Sequence, residues 1–297
     1  MTKQEFKELT QQGVVLLDGA TGSNFRKAGM PVGVCGELWA LEHPEVVLKL
    51  QRAYAEAGSR IVYAPTFSAN RIGLSMHGLQ DRLVELNTKL LALTREAVGD
   101  HVYVAGDVTT TGKMLEPRGE ITYQELYDVY KEQIRVLSDG GADLIVAETM
   151  LDVEETLVVL DAAQSVCDLP VMCSLTLEAD GSAVYGGSAV EMVESLQEMG
   201  ADAVGLNCSV GPDQLEAVVA SMKRVAKVPV LAKPNAGMPE IDEKGEAHYS
   251  MSPEHFASSV KRLVECGAQL VGGCCGTDPE YIRLLAKELG LNRTSLT

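Results

Sequence analysis

Two adjacent cysteines flanked by glycines are the part of this 297-residue sequence best suited to chemistry. Cys274 and Cys275 lie in a Gly-Gly-Cys-Cys-Gly run, and Cys208 lies in an Asn-Cys-Ser run. Neighbouring side chains on a regular strand point to opposite faces, but glycine accepts backbone angles that let adjacent cysteines turn toward one point. Three thiolates with one open position are typical of a catalytic zinc site. The pattern favours such a site over two alternatives, a tightly packed turn of small residues and a redox-active disulfide.

Further polar residues stand at the carboxyl ends of short apolar runs. They are Asp18 with Gly19, Thr66 with Ser68, Asp107, Glu148, Asn207 with Cys208, Lys233 with Asn235, and Cys274 with Cys275. The bodies of the same runs are apolar, and a few polar groups converging in an apolar setting are typical of a binding site. The chemistry therefore depends on a fold that brings these run ends together.

The runs alternate with segments of helical periodicity along the whole chain. The apolar runs are 14–20, 60–67, 101–108, 144–149, 170–177, 203–209, 229–236 and 269–276. The helical segments are 44–57, 83–97, 123–138, 153–166, 189–199, 213–225, 253–266 and 279–289. Strands without strict alternation are typical of a parallel sheet buried on both faces. Eight such units predict a (β/α)8 TIM barrel, with an open doubly wound sheet as the alternative, and barrel active sites lie at the carboxyl ends of the strands.

Composition narrows the class of protein further. The formal charge of −17 argues against a nucleic-acid partner. No run approaches the roughly 18 apolar residues of a membrane span, and residues 1–10 are too polar for a signal peptide, so we expect a cytoplasmic protein without a membrane partner. Seven cysteines, an odd number without a regular framework, indicate thiols or metal ligands. No Pro- or Ser-rich linker divides the chain, so residues 1–297 are expected to form a single domain.

Four motifs together resemble the homocysteine S-methyltransferases. They are Asp-Gly-Ala-Thr-Gly at 18–22, Glu-Thr at 148–149, Asn-Cys-Ser at 207–209 and Gly-Gly-Cys-Cys-Gly-Thr at 272–277. Their order and spacing fit along essentially the whole chain. Within that family, residues 65–71 and 77–79 are most similar to the homocysteine-binding module of cobalamin-dependent methionine synthase. The chain departs from the family in two places. Many relatives carry asparagine where this chain has Pro65, and many have a Gly-Pro-Thr-Gly turn where this chain reads Thr-Thr-Thr-Gly at 109–112. The second departure leaves the role of Asp107 open.

The resemblance implies a function and a set of contacts. Cys208, Cys274 and Cys275 would bind zinc, and the homocysteine sulfur would take the fourth position and be methylated to methionine. A free thiol has a pKa of about 8.5, and zinc coordination deprotonates it. The other substrate contacts that the resemblance implies are Asp18 and Glu148 for the ammonium group, Gly19 for close approach, main-chain amides near Thr66, Phe67 and Ser68 for the carboxylate, and Asn207 for orienting the zinc-ligand loop.

The methyl donor must come from elsewhere. The chain is too short to carry a folate or corrinoid module beside the barrel, and it lacks the Asp-x-His-x-x-Gly motif of a corrinoid ligand. The likeness favours methylcobalamin carried by a separate protein or module, with S-methylmethionine or betaine as the alternative. Two other functions remain open: a barrel lyase that forms a Schiff base on Lys233, and a zinc- or redox-responsive binding protein with a closed four-ligand site.

Overall fold

The computed structural model describes residues 1–242 and 247–291; residues 243–246 and 292–297, which the single-domain prediction includes, lie outside the described residues. The described residues contain ten strands. They are β1 (Val15–Leu16), β2 (Ile61–Tyr63), β3 (Tyr103–Val108), β4 (Leu144–Met150), β5 (Val171–Leu175), β6 (Ala203–Asn207), β7 (Val230–Lys233), β8 (Pro239–Ile241), β9 (Ala247–Tyr249) and β10 (Ala268–Val271).

Eight of these strands form a closed parallel barrel. The order is β1-β10-β7-β6-β5-β4-β3-β2, and every pairing within the sheet is parallel. A parallel bridge between Leu17 and Ile61 joins the first strand to the second and completes the circle. The (β/α)8 prediction is therefore confirmed, and the open sheet is excluded.

Both faces of the barrel strands are buried, as their apolar sequences predict. Along β4, Leu144 and Val146 point into the barrel cluster, while Ile145 and Ala147 join the layer between strands and helices. Adjacent side chains on a strand alternate between faces, so both sets must be apolar. Polar side chains are displaced to the strand ends, where the loops begin.

Twelve helices of the described residues cover the barrel and its ends. They are α1 (Lys3–Gln11), α2 (Gly22–Lys27), α3 (Gly36–Glu42), α4 (Pro44–Ala57), α5 (Arg71–Ser75), α6 (Leu83–Val98), α7 (Tyr123–Asp139), α8 (Val153–Gln164), α9 (Ala189–Glu198), α10 (Glu216–Val225), α11 (Pro253–Glu265) and α12 (Pro279–Glu288). The cap-and-proline signals at the last two helices are confirmed: the side chain of Ser252 accepts from His255 N and that of Asp278 from Glu280 N. Proline at the first position loses no helical hydrogen bond.

The long connections carry structure that periodicity did not reveal. The loop after β1 contains α2 and α3, and the loop after β7 contains the hairpin of β8 and β9. These elements are short, so they lack the repeated apolar stripe by which a helix is recognised. No helix of the described residues is long and apolar enough to cross a membrane.

Candidate active site and metal centre

A cavity of about 440 Å³ opens at the carboxyl ends of the strands. This volume lies within the range of about 300–1,000 Å³ typical of small-molecule sites. Asp18, Asp107, Glu148, Lys233 and the three cysteines line it from the barrel side, and the loop after β1 adds Phe25, Met30 and Glu37. The structure thus brings together residues from strands that are far apart in sequence.

The three predicted metal ligands converge on one point. The Sγ atoms of Cys208, Cys274 and Cys275 all lie within 4.8 Å of one another, and those of Cys208 and Cys275 are 3.6 Å apart. Two sulfurs on a tetrahedral zinc with Zn–S bonds of about 2.3 Å are separated by roughly 3.8 Å. Among the described residues, no further His, Cys, Asp or Glu belongs to this cluster. The arrangement fits a metal ion with three protein ligands.

The three thiols cannot all lose their protons unless a cation balances their charges. Hydrogen bonds to Cys274 and Cys275 raise the pKa of Cys208 far above its ordinary value. The reciprocal bonds lower the pKa of Cys275 to about 3. One thiolate is therefore stabilised by protons on its neighbours, and three thiolates so close together repel one another. A bound metal ion removes that repulsion.

Backbone hydrogen bonds fix the two cysteine loops against each other. Cys274 N donates to Pro234 O at 2.8 Å, Ala236 N donates to Cys275 O at 2.9 Å, and Cys208 N donates to Lys233 O at 3.3 Å. Cys208 has a φ of 50°, a conformation unusual for a residue other than glycine. The loops after β6, β7 and β10 therefore position the sulfurs as one unit.

The glycines beside the cysteines serve two purposes, of which the sequence analysis predicted one. Gly276 has a φ of 84°, which matches the expected backbone freedom. Gly272 and Gly273 are required for close packing instead: a Cβ on Gly272 would lie 2.5 Å from Asp18 O, and one on Gly273 would lie 2.5 Å from Thr277 Oγ1. Gly19 is similar, since its Cβ would lie 2.7 Å from the Tyr54 hydroxyl. Packing of this kind leaves no trace in a local sequence pattern.

Asp18 and Lys233 form a buried ion pair on the cavity wall. Lys233 Nζ lies 2.6 Å from Asp18 Oδ1, with both side chains at most 4% exposed. Nζ also lies 3.7 Å from the centre of the Tyr63 ring, and Tyr63 N donates to Asp18 Oδ2 at 2.7 Å. Burial alone lowers the pKa of Lys233, but attraction to Asp18 and Glu148 leaves it above its ordinary value. A lysine held protonated is not a nucleophile, which argues against the Schiff-base lyase.

Glu148 lies at the end of β4 beside Asn207 and Asp107. The Asn207 side chain donates to Thr149 Oγ1 at 2.7 Å and lies 3.5 Å from Glu148 Oε2 and 3.8 Å from Cys274 Sγ. It therefore connects the carboxylate to the cysteine cluster. Burial raises the pKa of Glu148 to about 7, and burial together with Glu148 raises the pKa of Asp107 well above its ordinary value.

The predicted carboxylate-binding segment lies at the cavity, but its residues differ in position. Phe67 and Ser68 line the cavity. Thr66 is fully buried, and its hydroxyl donates to Asp107 O at 2.8 Å and accepts from Asp107 N at 3.1 Å. Thr66 thus fixes the end of β3, and its side chain does not line the cavity.

Glu37 and Tyr249 are cavity neighbours that the sequence analysis missed. Ser68 N donates to Glu37 Oε1 at 2.6 Å, so Glu37 holds the position expected for a ligand carboxylate. The Tyr249 ring packs against Gly276, next to Cys275, and Tyr249 contributes to the low pKa of the Cys275 thiol. Both residues come from the long connections after β1 and β7, where no apolar run marks a strand end. No sequence signal could have singled them out.

A (β/α)8 barrel with three converging cysteines at the carboxyl ends of its strands defines the class of protein. The sequence profile of the homocysteine S-methyltransferases matches residues 15–289. The chain therefore belongs to the homocysteine S-methyltransferase family.

Relatives of known identity agree with this assignment. The methionine synthase of Mycobacterium tuberculosis (strain ATCC 25618 / H37Rv) is 32% identical over 94% of this chain, and that of Mycobacterium leprae (strain TN) is 30% identical over 94%. The chain spans about a quarter of the length of these relatives, 25% and 24%. In structure, the metallated form of the homocysteine methyltransferase MmuM from Escherichia coli has a TM-score of 0.76 at 21% identity, covering 95% of this chain and 98% of that one. At that identity the likeness concerns the fold.

Replacing Lys233 with methionine tests the buried ion pair. The change leaves Asp18 buried without its cation, and we expect the free energy of unfolding to fall by about 3–5 kcal/mol. Adding Asp18→Asn should recover most of the loss, because neither charge then remains. Urea unfolding followed by circular dichroism measures both values. A Lys233→Met protein as stable as the unmodified chain would contradict the conclusion that Lys233 balances the buried charge of Asp18.

Proposed function

We propose that this chain binds homocysteine, holds its thiol at a zinc ion on Cys208, Cys274 and Cys275, and transfers a methyl group to the sulfur to form methionine. The observation that carries the proposal is the convergence of three Sγ atoms, within 4.8 Å of one another, at a cavity walled by carboxylates. A metal site without a fourth protein ligand among the described residues leaves one position for a substrate thiol. That geometry also argues against a closed, purely zinc-responsive site.

The acidic wall suits the amino end of the substrate. Asp18 and Glu148 line the cavity together with Gly19, and a carboxylate binds an ammonium group through charge-assisted hydrogen bonds. The Asn207 side chain contacts both Glu148 and Cys274. The distance between the proposed ammonium site and the proposed metal site is therefore fixed. A substrate that spans them must carry a thiol and an amino group on one short chain.

The part of the cavity wall that contains Phe67 and Ser68 suits the carboxylate group of the substrate. Phe67 and Ser68 line the cavity, and the Thr66 hydroxyl bonds to the main chain of Asp107 and so holds the start of this segment. The proposal is supported by Ser68 N, which donates a hydrogen bond to the Glu37 carboxylate at 2.6 Å. We propose that the substrate carboxylate takes the place of Glu37 there.

Zinc supplies one chemical effect, a lower pKa of the substrate thiol, so that the sulfur is a thiolate at neutral pH. The residues of the chain do the rest. The cysteine loops fix the direction of the sulfur, and the acidic wall fixes the amino end. In the transfer, a sulfur–carbon bond forms and the donor keeps the electron pair of its broken methyl bond. No covalent intermediate on the protein is required.

We propose methylcobalamin on a separate protein or module as the methyl donor. Two observations support this. The relatives named above are methionine synthases of about four times the length of this chain. In addition, seven of the nine exposed large apolar side chains of the described residues lie in connections that follow strands: Val32, Val34, Met76, Val184, Tyr185, Met238 and Ile241. The other two, Val84 and Tyr123, belong to α6 and α7. Apolar side chains exposed around a cavity are typical of a surface that binds another protein.

Removing any one cysteine of the cluster tests the metal site. We expect Cys208→Ala, Cys274→Ala or Cys275→Ala to abolish stoichiometric zinc binding, because two thiolates do not complete the site. Elemental analysis after dialysis against a weak chelator measures zinc per chain. Cys167→Ala, a thiol outside the cluster, is the matched control and should keep its zinc. Full zinc retention in the triple variant would contradict the proposal.

A donor panel tests the methyl source. Zinc-loaded chain and homocysteine are incubated with methylcobalamin, S-methylmethionine, betaine or methyltetrahydrofolate, and methionine is quantified. We expect methionine from methylcobalamin and none from methyltetrahydrofolate alone, with the Cys274→Ala protein as the blank. If S-methylmethionine or betaine is the better donor by orders of magnitude, the choice of donor is wrong and the thiol chemistry still holds.

A further inference from the structure

Asp107 lines the substrate cavity and has a buried carboxylate oxygen without a hydrogen-bond partner in the described part of the chain. Its side chain is 4% exposed and lines the cavity. Its Oδ1 atom is fully buried and accepts no hydrogen bond from any donor in the described part of the chain. A buried carboxylate oxygen without a donor is costly, so this atom is suited to a donor that arrives with a ligand.

Asp18, by contrast, already has a donor on each oxygen. Lys233 Nζ bonds Oδ1, and Tyr63 N bonds Oδ2. The lysine also balances the Asp18 charge. The two predicted ammonium partners are therefore not equivalent. Both oxygens of Asp18 already accept short hydrogen bonds, whereas the Glu148 side chain has only the 3.5 Å contact from Asn207 Nδ2 in the described part of the chain.

Asp107 and Glu148 are neighbouring acidic groups on the cavity wall. Burial raises the pKa of both carboxyl groups, and the charge of Glu148 raises that of Asp107 further, so a bound cation would stabilise their ionised forms. Two acidic groups that share a buried site favour an incoming cation. An ammonium group has three donors, which matches two carboxyl groups side by side.

We infer that Asp107, next to Glu148, binds the ammonium group of the substrate directly, and that Lys233 acts as a positioning residue that keeps Asp18 in place. The inference rests on the proposed function and names a further specificity residue for it. Thr66 fixes the main chain of Asp107 through both its N–H and its carbonyl. The side chain therefore stays aimed at the cavity. The site should distinguish amino thiols from thiols that lack the amino group.

A pair of ligands tests this directly. Zinc-loaded full-length chain is titrated calorimetrically with L-homocysteine and with 4-sulfanylbutanoate, which has the same carbon chain, thiol and carboxylate but no amino group. For Asp107→Ala we expect the Kd of homocysteine to rise by about tenfold or more, the effect of losing one hydrogen bond to a charged group. The Kd of 4-sulfanylbutanoate should stay the same or fall. Asp180→Ala, which removes an exposed carboxylate from the loop after β5, should change neither.

Asp107→Asn provides a second variant in case the alanine protein does not fold. It should weaken homocysteine in the same direction but less, since its carbonyl oxygen still accepts. The inference is overturned if the folded variants lose both ligands equally or neither. If the unmodified zinc-loaded chain binds neither thiol, the proposed function fails and the inference fails with it. The two failures are thus distinguishable.

Discussion

Buried negative charge is the constraint on which the site at the carboxyl ends of the barrel strands depends. Three thiols and four carboxyl groups line one cavity, and Lys233 is the one cation among the lining residues that the structure describes. A buried charge without a partner costs several kcal/mol, about the stability margin of a protein domain. The free cavity is therefore suited to two more cations. A zinc ion at the sulfurs and an ammonium group at the carboxylates would satisfy both ends, and an amino thiol connects them.

The scaffold makes this arrangement rigid. The site groups stand at the ends of parallel strands, and backbone hydrogen bonds between the loops of β6, β7 and β10 hold the sulfurs. Two fully buried side chains complete the support: Thr66 fixes Asp107, and Asn207 spans Glu148 and Cys274. A site held by a second layer of hydrogen bonds keeps its geometry as the ligand changes. Gly272 allows the cysteine loop to approach the main chain just after β1, and Gly273 leaves room for the Thr277 side chain within the loop.

How far the sequence predicts this site follows from the range of the interactions. The barrel was predictable because each of its eight units repeats a local pattern, and the cysteines were predictable because ligand type and flanking glycines are local as well. The Asp18–Lys233 pair was not, since its partners are 215 residues apart and only the closed barrel brings them together. Glu37 was missed for a similar reason: it lies in a short helix of a long connection, and its contact with Ser68 is purely tertiary.

The central claim is a metal with three protein sulfurs and a position for the substrate thiol. Zinc X-ray absorption on the loaded chain, with and without homocysteine, tests it most directly. We predict three sulfur neighbours at about 2.3 Å and one lighter atom in the free protein, and four sulfurs once homocysteine is added. Four protein ligands before addition, or a spectrum that homocysteine leaves unchanged, would contradict the account.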